Sequence, residues 1–335
     1  MNEALLRRLP KLELHVHLEG AIPLETLLEL QRKYGVRPAL SLDALRERFV
    51  FRDFPHFIDA WVWKNGLLRE LDDFTLMAEA VARNWVEDGL VYVEAHYSPP
   101  DFYARGLSLA QLTEAVRRGF EKVSGVEVHL IADLVRDFGP QLASRTLDEL
   151  LEVASAFDVL GVGLGGSEHQ YPAEPFAPVY RRAREHGLHC TAHAGEAAGA
   201  QSVRAAVELL GVERVGHATR AVEDPALVAL LAERRIGIEC CPLSNVSTGV
   251  ISTLSEHPIV SWLERGLCVS VNSDDPVMFQ SSMSTELRAL HEQLGLSAAQ
   301  LLQLQLNAIE ASWQSEQAKD ELAAQLRACW PSSEC

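Results

Sequence analysis

Four short stretches of the sequence end in residues that bind metals or transfer protons. They are HVH (15–17), HAGE (193–196), GH (216–217) and NSDDP (272–276). Residues i and i+2 of a β-strand share a face, so the imidazoles of His15 and His17 point the same way. Three imidazoles and one carboxylate form a good donor set for a divalent metal, zinc above all, with a position left for water. Such a metal lowers the pKa of water from about 15.7 to roughly 7. Glu196 and His217 then remain as acid and base, which predicts attack on a carbon centre followed by loss of a leaving group.

Each of these signals is weak alone, because a single histidine at a strand end is usually a hydrogen-bonded structural residue. An Asp-Asp-Pro sequence is more often a turn or a helix cap. The argument depends on all four signals falling at the same end of four strands. The other histidines show no such convergence and are interpreted as structural or surface residues: His56, His96, His129, His169, His186, His189, His257 and His291.

Eight short, mostly apolar stretches predict parallel β-strands covered on both faces. They are Leu12–His17, Val91–Tyr97, Glu127–Asp133, Val159–Leu164, Leu188–His193, Arg214–His217, Ile236–Cys241 and Leu267–Ser273. Amphipathic stretches between them predict helices over 109–123, 147–157, 178–186, 203–210 and 225–235. This alternation predicts an α/β fold, a (β/α)₈ TIM-type barrel whose functional groups lie at the carboxyl ends of the strands.

Two segments are additions to the eight strand–helix units of a (β/α)₈ barrel. Residues 23–88 are too long for one crossover and predict a helical insertion after strand 1, and residues 284–328 predict extra C-terminal helices. Whether the insertion moves as a lid is open. Its aromatic cluster covers the barrel mouth or packs the inserted helices together: Phe49, Phe51, Phe54, Phe57, Trp61 and Trp63. Without a linker-like segment, a single domain over 1–335 is predicted.

Composition excludes several classes of function. The 335 residues are 47% hydrophobic, with 30 Lys+Arg against 47 Asp+Glu and a net charge of −17. This balance argues against binding to nucleic acid or to an anionic membrane surface. No stretch approaches the roughly 20 apolar residues of a membrane span. Six scattered cysteines are typical of reduced thiols, so a cytoplasmic protein is predicted; its oligomeric state is open.

Two other metal sites are disfavoured. Barrel hydrolases with a metal pair commonly use a bridging modified lysine, but none of the five lysines follows strand 4, 5 or 6. A single metal is therefore predicted. Zinc deaminases of the base-flipping class carry a C-x-x-C motif, which this sequence lacks.

The motifs LPKLELHVHLEG, TAHAGE, RVGHATR, CPLSN and SVNSDDP resemble, in order and spacing, those of the adenosine deaminase family in the amidohydrolase superfamily. The resemblance runs from about Leu9 to beyond Trp313. It implies a metal-dependent purine deaminase that binds one divalent ion, zinc with iron, manganese or cobalt as alternatives. The implied ligands are His15, His17, His193 and Asp274.

The resemblance also implies roles around the purine. Glu196 would protonate N1, which makes C6 electrophilic, and His217 would take a proton from the attacking water. Asp275 would share a hydrogen bond at N7, and the N–H of Gly166 would face N3. Asp274 would act in catalysis as well as in metal binding, and His17 would also contact the substrate. The tetrahedral intermediate then expels ammonia and leaves a 6-oxopurine.

The sequence departs from adenosine deaminases on the side of the sugar. Glu19 stands where those enzymes usually have Asp. A glutamate at this position also occurs in adenine deaminases and in deaminases of aminodeoxyfutalosine. GLGGSE (163–168) lacks both aspartates of the corresponding D-L-A-G-D-E motif. Arg136, after strand 3, is expected either to bind an anionic substrate extension such as a benzoate or to pair with Asp133 or Asp137.

The partner expected is thus a small-molecule purine, with the group on N9 undecided. The first hypothesis is zinc-dependent deamination of a 6-aminopurine nucleoside, either adenosine-type or aminodeoxyfutalosine. The alternatives are deamination of free adenine, removal of an alkylamine from an N6-substituted adenine, and a catalytically inactive binding relative.

Overall fold

The computed structural model describes residues 1–38 and 40–331. In this part of the chain eight parallel strands lie side by side in sequence order, and a bridge between Val16 and Asp274 connects the last strand region back to the first. The predicted (β/α)₈ barrel is confirmed. Its strands are β1 (Lys11–His17), β2 (Leu90–Tyr97), β3 (Glu127–Asp133), β4 (Val159–Gly163), β5 (His189–Ala194), β6 (Arg214–His217), β7 (Gly237–Cys240) and β8 (Val269–Val271).

Strand β8 is shorter than the predicted 267–273 because a side chain takes over the pairing with β1. Oδ1 of Asn272 accepts the N–H groups of Leu14 and His15 at 2.9 and 3.2 Å. Backbone pairing then resumes at Asp274, whose N–H donates to the His15 carbonyl at 3.1 Å and whose carbonyl accepts the His17 N–H at 2.8 Å. The seam that closes the barrel thus brings Asp274 beside the two histidines of β1.

Helices surround the barrel and fill the insertion. They are α1 (Glu3–Leu6), α2 (Leu24–Lys33), α3 (Leu42–Arg48), α4 (Phe54–Asn65), α5 (Leu71–Glu87), α6 (Leu109–Phe120), α7 (Gly139–Val153), α8 (Ala177–Glu185), α9 (Ala200–Ala205), α10 (Pro225–Glu233), α11 (Pro242–Ser247), α12 (Ile259–Glu264), α13 (Met283–Leu294), α14 (Ala298–Ala311) and α15 (Glu316–Cys329). Helices α2 to α4 form the insertion, whereas α5 packs against α6 on the outside of the barrel.

The barrel interior is unusually polar, as the period of two along β1 shows. Leu12, Leu14 and Val16 are fully buried on the face that meets the helices. The alternate residues Lys11, Glu13, His15 and His17 are also buried and share the other face. Buried charge is stable only when it is paired or hydrogen-bonded. Arg214 accordingly lies inside the barrel between the carboxylates of Glu94 and Glu239.

No helix within the described ranges is long and apolar enough to cross a membrane.

Candidate metal centre and active site

The four predicted metal ligands come together at the carboxyl end of the barrel. His15 and His17 extend from β1, His193 from β5, and Asp274 follows β8; one ligand atom from each lies within 4.8 Å of the others. Nε2 of His17 is 3.0 Å from Nε2 of His193 and 3.4 Å from Oδ1 of Asp274. Nε2 of His15 is buried, has no hydrogen-bond partner among the described residues, and lies 3.5 Å from the same oxygen. Imidazole nitrogens converging on one carboxylate fit the donor set of a single divalent ion.

Buried acceptors orient these ligands from behind. Oε2 of Glu239 lies 2.8 Å from Nδ1 of His15, and Oδ2 of Asp133 lies 3.4 Å from Nδ1 of His17. Burial raises the pKa of Glu239, but the charge of Arg214 and the hydrogen bond to His15 outweigh it and hold the pKa at about 2. An ionised carboxylate behind a ligating imidazole fixes the tautomer of the ring and turns the other nitrogen toward the metal.

Sequence reasoning missed these supporting residues. His96, interpreted as structural or surface, is buried with Nδ1 3.0 Å from Oδ1 of Asp133. Ser244 donates its hydroxyl to Oδ2 of Asp274 at 2.6 Å. Glu239 lies on β7. The available signal was the strand period of two: a polar residue inside an apolar strand that is buried on both faces must point into the barrel.

Glu196 and His217 face each other beside the ligands. Nε2 of His217 lies 3.6 Å from Oε2 of Glu196 and 3.9 Å from Oδ2 of Asp274. Burial, reinforced by the charges of Asp274 and Glu168, raises the pKa of Glu196 well above its ordinary value. Burial also lowers the pKa of His217 to about 3, with His15 and His17 adding to it against the opposing Asp274. Both directions favour the forms that an acid and a base need, a protonated carboxyl and a neutral imidazole.

The amide of Asn245 holds the ring of His217 in place. Its NH₂ group donates to Nδ1 of His217 at 3.0 Å, and its oxygen accepts the hydroxyl of Thr219 at 2.8 Å. The orientation of this amide decides which ring nitrogen carries the proton. In the structure the NH₂ group faces Nδ1, so Nδ1 accepts and the proton of the neutral ring lies on Nε2, on the side of Glu196. A base at Nε2 requires the reverse orientation of the amide, with its oxygen toward Nδ1.

Strained backbone accompanies the site. His217 and Asp274 have φ of 63° and 62°, the left-handed region that residues with a Cβ rarely adopt. Each such residue costs roughly 1–3 kcal/mol, which the surrounding structure must offset. Position 216 requires a glycine to leave room for the imidazole of His15, because a Cβ there would lie 2.6 Å from Cε1 of His15.

A cavity of about 290 Å³ opens above these groups. Its polar floor includes His17, Glu196, His217, Asp274 and Asp275. Its walls are largely aromatic and aliphatic: Phe54, Phe57, Ile58, Trp61, Val62, Val135, Phe138 and Phe279. Within the described residues no lysine or arginine lines it. Helix α4 of the insertion therefore supplies one wall of the site.

Comparisons with known proteins agree with this geometry. The sequence profile of the family described as "Adenosine deaminase" matches residues 10–329. The chain belongs to the adenosine deaminase family. It is 37% identical over 333 residues to a protein named adenine deaminase from Rhodospirillum rubrum, covering 98% of this chain and 99% of that one.

Two solved structures of this fold are also close. The chain is similar to adenine deaminase from Arthrobacter aurescens, with a TM-score of 0.91, 32% identity, and coverage of 96% of this chain and 98% of that one. It is likewise similar to an amidohydrolase from Burkholderia ambifaria that was crystallised with bound zinc, with a TM-score of 0.88, 28% identity, and coverage of 97% and 92%.

The adenosine deaminase motifs bring most of the predicted substrate residues to the cavity. Asp275 and Gly166 both line it. Gly166 has φ of 103°, and a Cβ there would lie 2.0 Å from Oδ2 of Asp137, so this turn requires glycine.

Glu19 lies behind the cavity wall rather than in it. Its carboxylate accepts the N–H of Ser98 at 2.9 Å, and its backbone carbonyl accepts Nζ of Lys64 at 2.7 Å. Burial raises the pKa of Glu19 to about 7 despite that hydrogen bond and the charge of Lys64. Glu19 thus supports the wall at Ser98, which lines the cavity.

The predicted pairing of Arg136 with Asp133 or Asp137 is not found among the described residues, and its contact with an anionic substrate group stays a prediction. Its guanidinium is fully buried and donates to the carbonyls of Tyr171 and His193 at 2.8 and 2.7 Å. Among the described residues, the hydrogen bonds of its terminal guanidinium nitrogens go to backbone carbonyls and not to Asp133 or Asp137.

Proposed function

We propose that this protein is a metal-dependent, zinc-preferring hydrolase that converts free adenine to hypoxanthine and ammonia. The observation that carries the proposal is the convergence of three imidazoles and one carboxylate beside the Glu196–His217 pair. The sequence favoured an adenosine-type nucleoside slightly over the free base. The relatives named adenine deaminase support the reverse order.

The residues divide the chemistry between them. A divalent metal held by His15, His17, His193 and Asp274 would act as the Lewis acid that makes water nucleophilic at neutral pH. The protonated carboxyl of Glu196 gives its proton to N1 of the purine, because C6 is a poor electrophile until the ring is protonated. His217 accepts a proton from the attacking water, and Asp275 binds at N7. Water adds to C6, and the proton that His217 accepted passes to the exocyclic nitrogen. The bond from C6 to that nitrogen then breaks, ammonia leaves, and the C6 hydroxyl returns a proton to Glu196 as the 6-oxo group forms.

The walls of the cavity support a small, uncharged substrate. Aromatic side chains suit the faces of a purine, which gains from stacking and from burial. A phosphate or benzoate on N9 would enter a cavity that no described lysine or arginine lines, in a chain of net charge −17. Such a group would lose its hydration without a compensating partner.

The test is a deamination assay with zinc-reconstituted protein, following the absorbance change from 6-amino- to 6-oxopurine and the release of ammonia. Adenine, adenosine, deoxyadenosine, aminodeoxyfutalosine and N6-methyladenine are run in parallel. We expect adenine to give the highest kcat/KM, and chelation or Glu196→Gln to abolish turnover. Faster turnover of an N9-substituted substrate would overturn the free-base assignment. Methylamine as the main product would change the leaving group, and no turnover of any purine would refute the proposal.

A further inference from the structure

The carboxylate of Glu168 is buried in an unusual cradle of backbone donors. Glu168 lies in the loop after β4 and is only 4% exposed. Oε1 accepts the N–H of Gly195 at 2.6 Å. Oε2 accepts the N–H groups of Glu196, Ala197 and Ala198 at 3.0, 2.6 and 3.0 Å. Four consecutive backbone N–H groups therefore converge on one side chain.

These donors belong to the segment that carries the proposed acid. Strand β5 ends at Ala194 and helix α9 begins at Ala200, so residues 195–199 have neither strand nor helix pairing of their own. Gly195 is in the left-handed region with φ of 72°. Without an acceptor, each buried N–H would cost about 1–3 kcal/mol. One carboxylate thus replaces the hydrogen bonds that a regular element would supply, and it sets the path of the backbone through Glu196.

The loop that carries Glu168 is fixed by two residues that follow β3. The N–H of Ser167 donates to Oδ2 of Asp137 at 2.8 Å. Arg136 joins the same loop to the end of β5, through its bonds to the carbonyls of Tyr171 and His193. These hydrogen bonds join the loops that follow β3 and β4 to the end of β5. They therefore fix Glu168 relative to the segment 195–198.

We infer that Glu168 is a positioning residue for Glu196: it clamps the backbone of 195–198 so that the acid faces His217 and the purine. The inference rests on the proposed function, because it concerns the proton donor of that reaction. The motif difference noted in the sequence agrees with it. GLGGSE (163–168) lacks two aspartates of the family pattern but keeps the glutamate whose carboxylate forms the clamp.

The test compares Glu168→Gln and Glu168→Asp with the metal-loaded parent. Glutamine keeps the size of the side chain but turns an NH₂ group toward the N–H groups, and aspartate keeps the charge but retracts it by one methylene. The matched control is Asp88→Asn. Asp88 is also buried and accepts a backbone N–H, from Ser284 at 3.0 Å, at the opposite end of the barrel.

Two readouts separate the clamp from the chemistry. Hydrogen exchange of the peptide covering 194–200 reports the clamp without any need for activity, and we expect exchange to rise by about tenfold or more in Glu168→Gln. Steady-state kinetics with adenine report positioning, and we expect kcat to fall on the order of 10²-fold with KM within about threefold. Glu168→Asp should lie between, so it decides the result where Glu168→Gln does not fold. Asp88→Asn should change stability but not kcat.

The outcomes are distinguishable. Unchanged exchange in 194–200 would overturn the inference even in an inactive protein. Faster exchange with parental kcat would overturn it while the proposed function stands, as would a kcat that falls only in step with lost metal. Turnover of no purine by the parent would refute the proposed function, and the exchange result would then speak for the clamp alone.

Discussion

The carboxyl of Asp275 packs directly against Gly20, so any side chain at position 20 must displace it. A Cβ on Gly20 would lie 1.7 Å from Oδ1 and 2.5 Å from Cγ of Asp275. The carboxyl is 2% exposed, and burial, followed by the charge of Asp274, raises its pKa to about 7. A buried carboxyl of this kind carries a proton near neutral pH and suits a hydrogen bond to a ring nitrogen such as N7.

Gly20→Ala tests this contact. The methyl group should push the carboxyl of Asp275 out of position, and a shift of about 1 Å at a reacting group can cost on the order of 10² in kcat/KM. We expect that loss with adenine while one equivalent of metal remains bound. Gly187→Ala is the control, because a Cβ there meets nothing within 4 Å, although its φ of 80° also disfavours alanine. Equal activities of the two variants would contradict the placement of Asp275.

Single residues were predictable from the sequence where strand periodicity decides their direction. His15 and His17 two positions apart on β1 must share a face, and the structure does bring both to Asp274. Arg136 was not predictable in this way. A guanidinium after a strand can meet a ligand, a carboxylate or backbone carbonyls, and only the packing of the loop at 164–171 shows that carbonyls take it.

At the scale of elements, helix α4 is fastened to the barrel by buried polar contacts. Nε1 of Trp61 and Nδ2 of Asn65 both donate to Oδ2 of Asp101 at 2.9 Å. Lys64 reaches the carbonyl of Glu19 from the same helix, and burial lowers its pKa to about 8 against the opposing charges of Glu19, Asp275 and Asp101. These contacts hold the aromatic wall over the metal centre.

Asp101→Ala should loosen that wall. Two partly buried donors lose their acceptor at once, and an unsatisfied buried group costs about 1–3 kcal/mol. We expect KM for adenine to rise by about tenfold, with a smaller fall in kcat, because the wall binds the purine and does not transfer its protons. Limited proteolysis should cut between α3 and α4 sooner than in the parent. Asp59→Ala, an exposed carboxylate on the same helix, is the control, and an equal rise in KM there would contradict the anchoring role.

The order and type of the elements were predictable, but several boundaries and the packing of the insertion were not. Helix α7 begins at Gly139 rather than at 147, because a proline in its first turn fits a helix start that the apolar pattern does not mark. The aromatic cluster of the insertion does both things that the sequence left open. Phe57 and Trp61 line the cavity, while Phe49 packs against Phe51. Composition gives no information on which ring faces which surface.

For the whole molecule, buried ionisable groups make stability depend on pH in opposing directions. Burial raises the pKa of Glu13 to about 7, so its contribution is present below pH 4.5 and is lost as the pH rises through 7. Burial, with the charge of His217 adding, lowers the pKa of His257 to about 3. The contribution of His257 is therefore present above pH 6.5 and is lost as the pH falls toward 3. A single stability profile adds these effects together, so a difference between variants is needed to isolate one group.

His257→Asn isolates the second group. His257 is 4% exposed and its Nδ1 accepts the N–H of Ile259 at 3.1 Å, a bond that the oxygen of asparagine can replace. Below pH 6.5 the unfolded parent gains a proton that the folded parent refuses, whereas the variant has no such group. The free energy of unfolding of the parent minus that of the variant should thus shrink by about 2 kcal/mol between pH 8 and pH 5. Urea unfolding across this range measures it, with exposed His186→Asn as the control. A difference that stays constant with pH would mean that the folded protein accommodates a charged His257. Burial would then not lower the pKa of this imidazole.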